Sequence, residues 1–219
     1  MRKMRLLFKK EGRAAYISHL DTMRTLQRAI ARAQLAAKHT EGFNPHAYIA
    51  IALPLSLGYT SECEMMDFVL LDDTPGFDVV ARLNRALPEG IVALKAYEDA
   101  RKVREIASAR YRITMEYDAG VPSRCAASLR QFFAKAPILI MKKSKRGERE
   151  VDIAGLIRAL EVTEEPGAIT LTATLAAGNE SLNPELLVRA ISQYLPDLAP
   201  DFTRYHRLAV LDASGAEFR

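Results

Sequence analysis

Tryptophan is absent from this chain, and cysteine occurs only at Cys63 and Cys125. Two cysteines do not make the disulfide framework that staples small secreted domains. No Cys-x-x-Cys or His-x-x-x-His pair is present, so the compact zinc motifs are excluded. No apolar run approaches the ~18 residues that a membrane-crossing helix needs. The basic start, Met1-Arg2-Lys3-Met4-Arg5-Leu6-Leu7-Phe8, regains charge at Lys9-Lys10-Glu11. Its apolar stretch is too short for a secretory signal and reads as a strand. Together these absences predict a cytoplasmic protein with no membrane partner. A phosphate-cradling glycine loop is also missing: Gly42 and Gly58 are single glycines near prolines and read as turns. There is no Gly-x-Ser-x-Gly nucleophile elbow. Aromatics make up only 7% of the chain, too few for an evident RNA-stacking sheet.

What is present is an ordinary globular composition with an uneven charge. The 219 residues carry a net charge of +4. That is enough chain for one large domain or two small ones, with a sizeable core. Residues 1–50 hold ten Lys and Arg against three acids, a surplus of +7, whereas residues 51–100 stand at −6. The run Lys142-Lys143-Ser144-Lys145-Arg146-Gly147-Glu148-Arg149 supplies +4 more. Such asymmetry suits a polyanion or an acidic partner. A clustering of solvated faces gives the same numbers.

One segment stands out. Ser18-His19-Leu20-Asp21 is answered by Gly42-Phe43-Asn44-Pro45-His46, and then by Ile51-Ala52-Leu53-Pro54-Leu55-Ser56-Leu57-Gly58. Polar, chemistry-bearing side chains sit beside turn formers at both ends of one helix-like stretch, an arrangement that can bring them to one edge of the fold.

Tyr16-Ile17-Ser18-His19-Leu20-Asp21, Arg28-Ala29, Arg32-Ala33, Glu41-Gly42-Phe43-Asn44-Pro45-His46, Ala52-Leu53-Pro54-Leu55 and Leu57-Gly58 carry a resemblance. They resemble the signature of the radical-SAM-linked protein family, whose members stand alone or are fused to radical SAM enzymes. The likeness covers most of the chain and is tightest over residues 4–98. It implies association with a radical SAM enzyme rather than radical chemistry in this chain. Radical SAM enzymes of the usual kind hold their iron–sulfur cluster through three cysteines in a Cys-x-x-x-Cys-x-x-Cys loop. The two cysteines here stand 62 positions apart, so no cofactor is expected.

Periodicity predicts an α+β fold. Met4 to Phe8 reads as a strand. Ser18 is placed to cap a helix, with Asp21 in the capping-box position. Ile17, Leu20, Met23, Leu26, Ile30 and Ala33 follow at helical spacing. Strands are expected over 49–55 and 65–71. Phe77, Val80, Leu83 and Leu87 then share one helix face, and 91–97 is a strand. The order β-α-β-β-α-β is that of a ferredoxin-like unit. The second half repeats it with additions. An alternating strand begins at Tyr111, and a helix spans 122–134 with Pro122 in its first turn. A hairpin of 138–142 with 150–153 follows, then a strand around 169–175. A helix opens at Asn183-Pro184-Glu185, and a strand covers 205–211. The expected organisation is two tandem ferredoxin-like units with antiparallel sheets. Residues 1–98 carry the motif, 109–219 form the elaborated second unit, and 99–108 join them. One continuous α+β domain is the alternative.

The candidate site residues fall into two sets. Ser18, His19, Asp21, Gly42, Phe43, Asn44, Pro45 and His46 form the motif, as a partner or ligand edge or as a cap and turn. His19, Asp21, His39, His46 and Cys63 are ligand types without a metal-site spacing, and no metal is expected. Ser18 beside His19 invites a nucleophile–base reading, and His19 or His46 a general acid–base one. Glu62 and Glu64 flank Cys63 and blunt it as a nucleophile. No self-sufficient catalytic constellation emerges, and the catalytic residues of any activity stay unassigned. The second set is cationic. Arg24, Arg28 and Arg32 recur every four residues, on one helix face opposite the apolar stripe. Lys142, Lys143, Lys145, Arg146 and Arg149 lie in the basic turn. Both suit an RNA backbone. Phe43, Tyr48 and Tyr59 lie where a ring can stack on a base. Two functions therefore compete: an accessory protein of a radical SAM enzyme, helping to present its substrate, and an RNA-binding protein.

Overall fold

A computed structural model describes residues 1–98, 101–144 and 147–219. The chain is α+β with antiparallel sheets, the class its periodicity predicts. It divides into two compact units, one of Met1–Val103 with Arg219, the other of Arg104–Phe218. No helix among the described residues is long and apolar enough to cross a membrane.

The first unit runs β1 (Arg2–Lys10), a 3-10 turn (Gly12–Tyr16), α1 (His19–Arg32), β2 (Ile49–Ala52), β3 (Thr60–Leu70), α2 (Gly76–Ala86) and β4 (Ile91–Glu98). β1 pairs antiparallel with β3 and β4, and β2 pairs antiparallel with β3. Met4, Leu6 and Phe8 alternate along β1 and turn to a core shared with Met66, Phe68, Leu26, Ile30, Val79 and Leu83. On the other face Arg5 stands opposite Asp67 in register. Asn84 ties α2 to β4: its amide donates to the Ala93 carbonyl at 2.9 Å and accepts the Ala93 N–H at 2.8 Å.

Three details differ from the expected stripes. Leu20 is 64% exposed, because the buried face of α1 is Thr22, Leu26, Ala29 and Ile30. Thr22 takes the inward position by donating its hydroxyl to the Ser18 carbonyl at 2.9 Å, which satisfies its one polar group. Phe77 likewise faces solvent, and Val79 and Leu83 fill the core one turn apart. β2 stops at Ala52, short of the expected Leu55, because Leu53 adopts φ +48° and turns the chain away.

The second unit contains β5 (Ile106–Glu116), α3 (Cys125–Phe133), β6 (Leu139–Ser144), β7 (Gly147–Asp152), β8 (Ile157–Glu165), β9 (Ala168–Ala176), α4 (Glu185–Tyr194) and β10 (Phe202–Asp212). β5 pairs with β9 and β10, and β8 with β9, all antiparallel; β6 and β7 form a separate hairpin. β8 is an unexpected strand. Its sequence, IRALEVTEE, is largely exposed and charged, so only Val162 is fully buried in it. α3 begins three residues after Pro122, because Arg124 at φ +59° precedes it. At α4 the Asn183 side chain accepts the Glu185 N–H at 3.1 Å, a cap formed one residue before Pro184.

Candidate functional site

The motif begins where β1 ends. Lys10 is almost completely buried, and its ammonium donates to the Ile17 carbonyl at 3.3 Å. Burial pulls the Lys10 pKa below its ordinary value, with Glu64 acting in the opposite direction. This contact fixes the chain just before Ser18, whose extended backbone starts α1. Ser18 Oγ accepts the Asp21 N–H at 3.1 Å and donates to Asp21 Oδ2 at 2.7 Å. The Ser18 hydroxyl, then the charges of Arg24 and Arg28, hold the Asp21 carboxyl below the ordinary carboxylate range. The Gly58 N–H donates to the Ala15 carbonyl at 2.9 Å, which brings the segment after β2 alongside. Tyr16, Leu20 and Leu57 are left exposed around this corner, at 69%, 64% and 63%.

The second half of the motif is a closed loop. The Thr40 N–H donates to the His46 carbonyl at 2.8 Å, and the Tyr48 N–H to the Lys38 carbonyl at 2.8 Å. Gly42 supplies φ +118°, a conformation that side chains rarely adopt. His46 Nδ1 lies 3.0 Å from the Asn44 carbonyl and 3.3 Å from Thr40 Oγ1. A carbonyl only accepts, so neutral His46 carries its proton on Nδ1 and leaves an Nε2 lone pair free. The base of the loop is tied to the middle of α1, where Gln27 Nε2 donates to the Ala47 carbonyl at 3.3 Å. Residues 41–46 are all exposed, and Phe43 projects completely into solvent.

These contacts define two clusters rather than one. Ser18, Asp21 and Arg24 make the first; Thr40, Asn44 and His46 make the second. Among the described residues no hydrogen bond or ion pair joins His19 or Asp21 to Asn44 or His46. The Ser18 hydroxyl is committed to Asp21 and not to His19, so the nucleophile–base reading has no geometry behind it. The Asn44 turn is held by Thr40 and His46, without His19 or Asp21. His39 Nδ1 pairs with the Ala37 carbonyl at 2.9 Å, and Cys63 Sγ lies 3.6 Å from Ser61 Oγ. Among the described residues no group of three or more His, Cys, Asp or Glu is placed to hold a metal ion.

The cationic set divides as well. Arg24, Arg28 and Arg32 are all exposed, on the side of α1 away from the core. Arg24 is paired with Asp21 at 3.2 Å, and Arg32 donates to the Ala86 carbonyl at 2.7 Å. Lys142 and Lys143 lie on β6 and the exposed Arg149 on β7, whereas Lys145 and Arg146 fall outside the described residues. Of the candidate stacking rings, Phe43 and Tyr48 are exposed, but Tyr59 is 3% exposed and belongs to the interior. Tyr16, Leu20 and Leu57 were not singled out as site residues from the sequence. The signal for Leu20 was available: it stands six residues before Leu26, a spacing that does not share a helix face.

The family model described as "Uncharacterized protein conserved in bacteria (DUF2344)" matches residues 3–184. No curated protein matches the chain. Among solved structures, the crystal structure of an unknown protein from Galdieria sulphuraria is 11% identical. Its alignment covers 94% of this chain and 98% of that one, with a TM-score of 0.28.

Proposed function

The chain belongs to the DUF2344 family of uncharacterized proteins conserved in bacteria, and on that footing we propose that it is a non-catalytic accessory protein that docks onto a radical SAM enzyme. Docking uses the exposed side chains of the two motif segments: Tyr16, His19 and Leu20 at the start of α1, and Phe43 and Asn44 in the loop. One observation carries the reading. The fold-building work of the motif is done by Ser18, Thr40, Gly42 and backbone groups, while Tyr16, Leu20 and Phe43 stand in solvent. Exposed apolar side chains on well-held segments are the usual anchors of protein interfaces. His19 makes no hydrogen bond or ion pair among the described residues, so it is free to meet a partner's polar group. The enzyme as partner comes from the motif's resemblance to the radical-SAM-linked signature. With two free cysteines, the chain leaves the cluster chemistry to that enzyme.

RNA binding is the second reading, favoured by the three exposed arginines of α1. It requires binding that falls steeply with salt and weakens when Arg28 and Arg32 are reversed in charge. The test separating the two is affinity capture of the tagged protein from its own cytosol, with and without ribonuclease. Recovery of a radical SAM enzyme that resists ribonuclease, and is lost in Leu20→Asp and Phe43→Asp, supports the accessory role. Recovery dominated by RNA, with protein partners lost on ribonuclease treatment, overturns it.

A further inference from the structure

The regular arginine stripe of α1 does not continue as three equivalent charges. Arg24 is paired with Asp21, and Arg32 leans off the helix toward the end of α2. There Arg32 meets two cations from a different part of the sequence, Arg82 and Arg85. The three border a cleft of about 470 Å³, completed by Ala33, Gln34 and Ala86. That volume lies within the roughly 300–1,000 Å³ of small-molecule sites. Ala33 and Ala86 contribute only methyl groups, which leaves space between the guanidinium groups. We infer that this cleft binds a compact oligophosphate anion, such as pyrophosphate or the phosphate tail of a nucleotide.

The main competing explanation is local. Helix C-terminal carbonyls attract cations, and Arg32 does satisfy the Ala86 carbonyl. Each helix end carries only about half a negative charge, however. Asp78 adds one carboxylate, 2.7 Å from Arg82. Three guanidinium groups exceed what these need. Arg85 is exposed and makes no hydrogen bond or ion pair among the described residues. Guanidinium forks match phosphate oxygens in pairs. Their convergence on one cleft from two helices suits a compact multivalent anion better than an extended nucleic-acid backbone, which a linear stripe would track.

The test titrates inorganic pyrophosphate into the full chain at low salt without divalent metal, followed by calorimetry. One saturable site is expected. Arg85→Gln should weaken it by at least about tenfold, the loss of one charge-assisted hydrogen bond. Asp78→Asn should strengthen it, because Arg82 is then released from its ion pair. Thermal unfolding of each variant checks the fold, and should Arg85→Gln unfold, the Asp78→Asn result decides. Absence of pyrophosphate binding, or binding indifferent to both substitutions, overturns the inference. So does Arg85-dependent binding of a single-stranded RNA oligomer without pyrophosphate binding, which would assign the cleft to a nucleic-acid backbone.

Discussion

Ser18 and Asp21 exchange two hydrogen bonds at the start of α1: the Asp21 N–H donates to Ser18 Oγ at 3.1 Å, and the Ser18 hydroxyl donates to Asp21 Oδ2 at 2.7 Å. The exchange fixes the first turn of the helix on which both motif segments are hung. Ser18→Ala is expected to cost about 1 kcal/mol of stability, the usual loss for a helix cap, read as a lower urea midpoint.

The same pair sets a pH dependence. Asp21 holds its proton less readily folded than unfolded, because the Ser18 hydroxyl, Arg24 and Arg28 favour the carboxylate. Its contribution is therefore fully present above the ordinary carboxylate pKa of about 4 and fades as the pH falls through the lowered value. Asp21→Asn should lower the urea midpoint at pH 7 and leave it almost unchanged at strongly acid pH. An equal loss at both would contradict this assignment.

Arg5 and Asp67 face one another across β1 and β3 in a two-pronged ion pair, at 2.7 and 2.9 Å, with the Arg5 side chain wholly buried. Arg5 also donates to the Arg101 carbonyl at 3.3 Å. Removing only the carboxylate takes the two-pronged acidic partner from a wholly buried guanidinium, so Asp67→Ala should cost about 3 kcal/mol or more. Replacing both residues, Arg5→Met with Asp67→Leu, should recover most of that loss in denaturant unfolding.

Gly76 starts α2 against the backbone of β4. A Cβ there would collide with the Ala96 carbonyl oxygen, a backbone atom that no side-chain adjustment relieves. Gly76→Ala should shift α2 and cost about 3 kcal/mol or more, seen as a fall in thermal midpoint or a failure to fold.

The two thiols should differ in reactivity. Cys125 is wholly buried beside the Tyr117 hydroxyl, and burial pushes its pKa up. Cys63 is partly exposed. Native alkylation should modify Cys63 and reach Cys125 only after denaturation.

Element types were legible where one face is buried and the other solvated, as in α1, and where a short run is apolar throughout, as in β1, whose residues 4–8 are all buried. β8 was not, because its exposed and charged residues mute the period-two signal. The apolar stripes were misread at Leu20 and Phe77, where first-turn residues hold a hydrophobic side chain in solvent while a satisfied Thr22, or Val79, takes the inward place. The cap at Ser18 was readable from residue spacing. The separation of His19 and Asp21 from Asn44 and His46 was not, since it depends on how the loop from Lys38 to Tyr48 closes on itself. Nor was the meeting of Arg32 with Arg82 and Arg85, about fifty residues apart in sequence and joined only by tertiary packing.

The proposed docking role rests on motif side chains that stand in solvent. The most direct measurement is the affinity of the purified chain for the purified radical SAM enzyme of the same cell, compared with Leu20→Asp and Phe43→Asp. Both variants should unfold at the wild-type urea midpoint, because both side chains are exposed. Wild-type binding reduced at least about tenfold in each variant is the expected result, as removal of an interface anchor typically costs 2 kcal/mol or more. No binding by the wild-type chain, or equal binding by all three proteins, would contradict it.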